Sequence, residues 1–488
     1  MKTLQTISGL SAKSGGPSTC TLDLLNGLYD IHAGVDLLTV SSPDILGAGS
    51  LWLKVEPCDY KTPLGLSKNI KRALVESEYD LYHANALWSY TVHETCKVSR
   101  QKGKPYILSP HGMLYPTALA IKRWKKVPML WWWFNKDIHE ATCLHATCQQ
   151  EAEYIRQFGY KGPIAVIPNA VVFPGYLREV QRVQGVRMVQ EDKKAFGEKA
   201  VLTKTEKTAD VSSDSASLSL SEHASEIESA LSSSVAYSAN GVVTNTDDSS
   251  AKNSKNIFTE NSRAIHDNLR SEEKDSVDTC NSCSKKKTIG FLGRLHPIKK
   301  VENVLYAMDK LRAEGLELRD KLSFQIMGKY DDQYEQWLKD EVKRLHLEDC
   351  VEFVGFVSGK DKYDRLSKLS ALMVPSAQEN FGMIVPEALI CGTPVYASLG
   401  TPWSELNECN AGWWQDNSPA TITKVILDIL SKSDEELRAM GANGRKLMEE
   451  KYEQHKVAAM MKRLYEWIVD DKMVKDKKPE FVYLDKKR

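Results

Sequence analysis

A rhythm that occurs twice constrains this chain more than any other feature. Short apolar runs of strand length alternate with longer segments whose apolar residues recur at helical spacing. Over residues 1–173 the pattern predicts strands at 37–40, 81–83 and 106–109, with a helix over 66–76. Ile164-Ala165-Val166-Ile167 then forms one more buried strand, stopped by Pro168-Asn169. The rhythm resumes at Lys287, with strands predicted at 288–292, 323–327, 351–354 and 371–374 and helices over 301–311 and 333–345. Such alternation is the signature of β-α-β units around a parallel sheet, so the fold class is α/β with two Rossmann-like domains.

Between the two blocks the composition changes. Residues 174–286 are dominated by Ser, Thr, Asn, Asp, Glu and Lys, as in Ser212-Ser213-Asp214-Ser215. Too little apolar surface is present there to offset the entropy of ordering a chain, which predicts a disordered insertion with helical patches near 221–231. The expected organisation is therefore a first domain over 1–173, the insertion over 174–286, a second domain over 287–455, and a C-terminal helix and Lys-rich tail over 456–488. Helical spacing runs from 435 to 467, and the tail beyond Asp471 reads as loose.

Global charge excludes little, because 65 basic residues balance 65 acidic ones and give no argument for nucleic acid. The ten cysteines are scattered through apolar and helical stretches, which suits reduced thiols. Cys280-Asn281-Ser282-Cys283 has metal-like or redox-like spacing but lacks a second Cys or His pair. The first residues lack the apolar core of a signal peptide, and no run reaches the ~18 apolar residues of a membrane span. A cytoplasmic location is expected, with contact at the inner face of a membrane if the aromatic run described below meets lipid.

The chemistry-bearing residues concentrate in two loops of the second block. The segment from Pro375 onward passes Glu379, Asn380, Phe381, Gly382 and Met383 before a helix carrying Glu387, and Gly392 ends it. A loop of this kind lies at the carboxyl end of a sheet strand, where open α/β sheets bind ligands. Amides of Phe381, Gly382 and Met383 would aim free N–H groups at an anion such as a diphosphate. Glu379 and Glu387 reach different parts of one ligand and accept hydrogen bonds from vicinal hydroxyls; solvated helix-end acids favoured by the dipole would look the same. Gly293-Arg294-Leu295-His296-Pro297-Ile298-Lys299 supplies two cations able to stabilise the charge that grows on a departing diphosphate. Taken alone, such a pair is also what an ordinary surface loop carries.

These two loops, in this order and with Phe353-Val354-Gly355-Phe356 between them, resemble the retaining glycosyltransferases of family 4, which have the GT-B fold. The resemblance covers 1–173 and 287–460. It implies two domains facing a central cleft, a nucleotide-sugar donor in the second domain, and an acceptor in the first. It implies Arg294 and Lys299 on the diphosphate, Glu387 on the ribose, and Glu379 on hydroxyls of the donor sugar. Gly15 and Gly16 match the family's glycine pair beside the donor phosphate, and His111, in Ser109-Pro110-His111-Gly112, would contact the donor sugar. Glu379 and His111 are thus the catalytic residues that the resemblance implies. Ala170 and Val172 stand where the family usually has Gly and Asp. In family terms no covalent enzyme intermediate, cofactor or metal ion is needed, and the nucleotide-sugar is a substrate. The acceptor implied is a polysaccharide or a lipid-linked saccharide. A non-catalytic sugar-binding or assembly protein, an epimerase and a glucan synthase remain the competing activities.

A last segment, 122–136, combines Lys122, Arg123, Lys125, Lys126 and Lys136 with Trp124, Trp131, Trp132, Trp133 and Phe134. Two arrangements fit it: an interfacial cluster on an anionic lipid surface, or tryptophans packed in the first domain's core beneath solvated lysines.

Overall fold

The computed structural model describes residues 1–11, 16–59, 64–175, 286–329, 332–470 and 477–485. The Ser-rich stretch 176–285, with Cys280, Cys283 and the helical patches expected near 221–231, lies outside the described residues, as do Ser14 and Gly15. Two parallel sheets organise the rest. The first contains β1 (Thr3–Ile7), β2 (Val35–Val40), β3 (Leu53–Glu56), β4 (Leu81–Asn85), β5 (Tyr106–Ser109), β6 (Cys143–Ala146) and β7 (Ile164–Val166). The second contains β8 (Lys287–Leu292), β9 (Leu322–Met327), β10 (Val351–Gly355), β11 (Ala371–Val374), β12 (Val395–Ser398) and β13 (Gly412–Gln415). A final strand, β14 (Val482–Tyr483), completes the first sheet.

Strand order is β14-β7-β6-β5-β4-β1-β2-β3 in one sheet and β10-β9-β8-β11-β12-β13 in the other. Both are doubly wound, with the direction of winding reversing between β1 and β4 and between β8 and β11. At such a switch the two neighbouring loops diverge to opposite faces and leave a crevice above the carboxyl ends. Strands covered by helices on both faces should be apolar along their whole length, and β4, β5, β6, β11 and β12 are buried at every position.

The C-terminal region is helical where its spacing predicts, but part of the tail expected to be loose is ordered. A helix over Asp434–Leu447 runs into a wide helical turn at Met448–Tyr452, and a second helix spans Gln454–Val469. The amide of Val171 donates to the carbonyl of Tyr452 at 2.9 Å, at the point where the chain crosses back toward the first sheet. Glu453 caps the returning helix by accepting from the His455 amide at 2.9 Å. That helix buries Val457, Ala458, Met461, Leu464, Tyr465 and Ile468 in the core of the first lobe. The tail follows: Val482 pairs antiparallel with Ala165, and Phe481 and Val482 join the same core. Periodicity does not reveal this, because a two-residue edge strand leaves no alternation to read.

The aromatic run divides between the two arrangements that fit its sequence. Phe134 is fully buried and Trp133 stacks on His93 at 5.0 Å, but Trp124, Trp131 and Trp132 are 74%, 78% and 67% exposed. The segment folds as a short helix, Arg123–Met129, continued by a wide turn over Leu130–Phe134 that turns only part of the run inward.

The returning helix approaches the helix Gly16–Asp30 closely at Gly27, where a Cβ would come within 2.9 Å of the Gln454 side chain and 3.1 Å of the Ala458 Cβ. Overpacking such a contact costs about 1–3 kcal/mol. We expect Gly27→Ala to lower the thermal unfolding midpoint measurably and Gly27→Leu to lower it further, as read by circular dichroism.

Candidate active site

Strand ends of both sheets supply one cavity of about 440 Å³. Gly16 and Pro17 follow β1, His111 follows β5, Arg294 and Lys299 follow β8, and Glu379 to Ile384 follow β11. All lie at carboxyl ends, and β1, β8 and β11 flank the two switch points. A larger hollow, lined by Lys2, Asp36, Lys54 and Glu76, sits at the opposite, amino end of the first sheet, away from these residues.

On the side of the second lobe, Glu379 is held from three directions. Its carboxylate accepts from the Lys299 ammonium and from the Ser376 hydroxyl, the latter at 2.8 Å, and its amide donates to Gly400 at 2.8 Å. Lys299 sits in a tight turn, Pro297–Lys299, whose first amide is capped by the His296 ring at 3.2 Å. Arg294 is exposed at the mouth of the cavity. Gly382 has φ of 75°, a conformation that side chains resist. This bend aims the chain so that the amides of Phe381, Gly382 and Met383 find no acceptor among the described residues. The helix they precede, Ile384–Ile390, is short and firmly buried on Val385, Ala388 and Leu389. Trp403 braces the loop by donating from its indole to the Phe381 carbonyl at 2.6 Å.

The first lobe contributes the start of the helix Gly16–Asp30 and the turn after β5. Among the described residues, a Cβ placed on Gly16 would meet nothing within 4 Å, so a side chain there would project away from them. His111 adopts φ of 51° and Gly112 φ of 76°, a left-handed pair that swings the imidazole over the cavity. A Cβ at Gly112 would collide with Asn380 at 2.9 Å, so this position admits only glycine without displacing the facing loop. The Gly112 amide donates to the buried carboxylate of Glu151, which also accepts from the Thr147 amide and hydroxyl at 2.8 and 2.9 Å. Burial pushes the Glu151 pKa up while these bonds oppose the rise. Burial, and then the charge of His145, lowers His111 to about 3, so its imidazole is neutral at physiological pH.

Glu387 sits apart from the residues that line this cavity. Its carboxylate pairs with Lys362 at 2.9 Å, from the helix Gly359–Leu366, and both side chains are largely covered. Asp23, on the helix Gly16–Asp30, faces this pair; burial and then the Glu387 charge raise it to about 7, against the opposing effect of Lys362. Of the residues singled out in the sequence, Gly16, His111, Arg294, Lys299, Glu379, Phe381, Gly382 and Met383 share the cavity. Sequence reasoning passed over Asn380 and Asn169, which also line it, and Lys362 and Asp23, which surround Glu387. Asn380 lay inside the motif, but Lys362 and Asp23 carry no local pattern.

With that geometry in hand, comparison with known proteins identifies both lobes. The family described as glycosyl transferases group 1 matches residues 275–447, and Glycosyltransferase Family 4 matches residues 14–172. Among curated relatives, a D-inositol 3-phosphate glycosyltransferase of Stackebrandtia nassauensis is 32% identical over 113 residues, 22% of this chain and 26% of that protein. One from Streptomyces scabiei is 31% identical over 157 residues, 31% of this chain and 35% of that protein. The matched stretches thus span about a quarter to a third of those relatives. Solved structures share the whole fold: Anabaena HepE in complex with UDP and glucose has a TM-score of 0.58 at 15% identity, covering 96% of this chain and 99% of that one. Sucrose-phosphate synthase from Thermosynechococcus elongatus has a TM-score of 0.60 at 16% identity, with the same coverage. With one family match on each lobe and the GT-B fold across both, the chain belongs to glycosyltransferase family 4.

Proposed function

We propose that this protein is a retaining glycosyltransferase that moves a sugar from a UDP- or GDP-sugar to a polysaccharide or lipid-linked saccharide acceptor. The observation that carries the reading is the cavity in which Arg294, Lys299 and three amides with no acceptor among the described residues face Glu379, with His111 and Gly16 opposite. A diphosphate needs the first group and a polyhydroxylated sugar needs the second. HepE, which has the same fold, holds UDP and glucose.

In the proposed reaction the bond from the anomeric carbon to the diphosphate oxygen breaks as the acceptor oxygen bonds to that carbon on the same face. The acceptor's proton passes to the departing diphosphate. Arg294 and Lys299 stabilise the charge gained by the leaving group, Glu379 holds donor-sugar hydroxyls, and Glu387 serves the ribose once Lys362 shares it. No step calls for a metal ion.

The acceptor is proposed to arrive from an anionic membrane surface. Trp124, Trp131 and Trp132 are exposed beside Lys122, Arg123, Lys125 and Lys126, and residues 116–136 contain no acidic side chain. Tryptophan favours the headgroup region, and each nearby cation adds roughly 1 kcal/mol of attraction to anionic lipid. The patch adjoins the cleft, since Thr117 in the preceding helix bonds Gln378 of the facing lobe. Among the described residues no helix is long and apolar enough to cross a membrane, so contact would be peripheral.

Three measurements test this reading. Nucleotide release should appear with one member of a UDP- and GDP-sugar panel and persist in EDTA; Arg294→Ala should then lower kcat/KM about a hundredfold or more. Release from none of the panel would favour a sugar-binding protein without turnover. Gly16→Ala should raise the donor KM while leaving the unfolding midpoint unchanged, because the added methyl meets none of the described residues within 4 Å and enters the proposed donor space. In flotation with phosphatidylglycerol vesicles, the wild type should rise with the lipid and a Trp124→Ala, Trp131→Ala, Trp132→Ala triple variant should stay behind. Equal flotation of both would remove the membrane proposal.

A further inference from the structure

Beneath the cavity floor, a row of polar side chains crosses the core of the first lobe. Gln5, His83, Asn85, Ser109, His145 and Tyr465 are all buried, and they join end to end. The His111 ring Nε2 lies 3.3 Å from Asn85 Oδ1, Asn85 Nδ2 is 3.0 Å from Gln5 Oε1, and Gln5 Nε2 is 2.8 Å from the Tyr465 hydroxyl. Tyr465 then meets His83 Nδ1 at 2.8 Å, His83 Nε2 meets Ser109 Oγ at 2.6 Å, and Ser109 meets His145 Nδ1 at 2.7 Å. The row ends where His145 Nε2 sits 2.8 Å from the backbone carbonyl of Ile167.

That last contact fixes the direction of all the others. A carbonyl only accepts, so His145 Nε2 carries hydrogen. Burial keeps His145 neutral, with its pKa lowered to about 4, so its Nδ1 holds a lone pair and Ser109 donates to it. The Ser109 hydroxyl has one hydrogen and has used it, so His83 Nε2 must donate to Ser109. Burial also holds His83 neutral, leaving its Nδ1 to accept from Tyr465. The spent tyrosine hydroxyl accepts from Gln5, whose carbonyl oxygen accepts from Asn85. The remaining amide oxygen of Asn85 demands a hydrogen on His111 Nε2. Reversing any single link would set two acceptors or two donors face to face, or require a second hydrogen on a neutral imidazole or hydroxyl.

We infer that Tyr465 is a positioning residue: through this one-way chain it locks His111 as the Nε2–H tautomer, so that Nδ1 can only accept, from a donor-sugar hydroxyl. The identity of that ligand rests on the glycosyl-transfer reading; the tautomer does not. His111 Nδ1 has no partner among the described residues, and the ring lines the cavity. An acceptor-only nitrogen rewards a hydroxyl that brings its hydrogen and repels a phosphate oxygen, which places the sugar rather than the diphosphate beneath it. Tyr465 reaches this role from the returning helix, at the far end of the sequence from Gln5.

The tautomers can be read directly in the full-length protein labelled with 15N-histidine, using long-range proton–nitrogen correlation at pH 7 without ligand. His83, His111 and His145 should all be neutral with hydrogen on Nε2; hydrogen on Nδ1 of His111, or a protonated His111 ring, would overturn the inference. Tyr465→Phe keeps the ring and removes the link, so Gln5 and Asn85 are released to reverse and His111 should show both tautomers. With the donor identified by the panel, kcat should fall about tenfold with little change in donor KM. An unchanged His111 tautomer in a folded variant would refute the role of Tyr465. Should that variant not fold, Ser109→Ala cuts the same chain and Ser109→Thr preserves it: mixed tautomers in the first and a single one in the second support the inference, and identical spectra overturn it. Expected tautomers in a protein inactive with every donor would leave the inference standing and remove only the transferase reading.

Discussion

The return of the helix Gln454–Val469 to the first lobe is the constraint on which the rest of the structure depends. Sequence order places this helix after the second sheet, yet it buries Val457, Met461, Leu464 and Ile468 against β1, β4 and the helix Gly16–Asp30. Its close approach at Gly27 and the Val171–Tyr452 hydrogen bond pin the crossing. The first lobe is therefore complete only when the chain's last segment has come back to it. The same contact sets the start of the helix Gly16–Asp30, and with it Gly16, in front of the loop that follows β11.

A consequence is that the site is assembled from contacts between residues very far apart in sequence. Gln5 and Tyr465 are separated by 460 positions, His83 and Tyr465 by 382, and Cys148 reaches the Asn380 carbonyl across 232. Closing such long loops is entropically costly, and the cost is met by the apolar burial of the returning helix rather than by the polar links themselves. The polar links instead select one arrangement among many of similar burial, because an unmade bond in this core would strand a desolvated donor or acceptor.

What the sequence made legible follows from this division. Strands β5 and β11 fall where the apolar runs end, and the loops after β8 and β11 were readable because Gly, Pro and charged residues cluster within a few positions. Local chemistry leaves local signs. The strand β14 was hidden because two residues carry no period, and the exposure of Trp131 and Trp132 because a helical run looks alike whether or not a wide turn rotates part of it outward. Lys362 opposite Glu387, Asp23 beside it and the chain beneath His111 were hidden for another reason: each is a meeting of residues whose only relation is spatial.

The mixture of charges in the cavity is itself informative about what it selects. Two unit charges about 4 Å apart near a protein surface interact by about 4 kcal/mol before desolvation is counted, so Lys299 and Glu379 largely cancel one another at a distance. A simple anion approaching Lys299 therefore gains its attraction but meets the Glu379 carboxylate held on the same ammonium. The lysine has three hydrogens, however, and the carboxylate more than two acceptor directions, so both keep capacity after pairing. Only a ligand with phosphate at one end and hydroxyls at the other can use both surpluses at once. Inorganic phosphate satisfies the cation and leaves the acid facing negative charge; a free sugar satisfies the acid and leaves the amides of Phe381, Gly382 and Met383 with no acceptor among the described residues. In the proposed reading, pairing Lys299 with Glu379 thus makes the cavity read the joint between diphosphate and sugar, which is the bond that the reaction breaks.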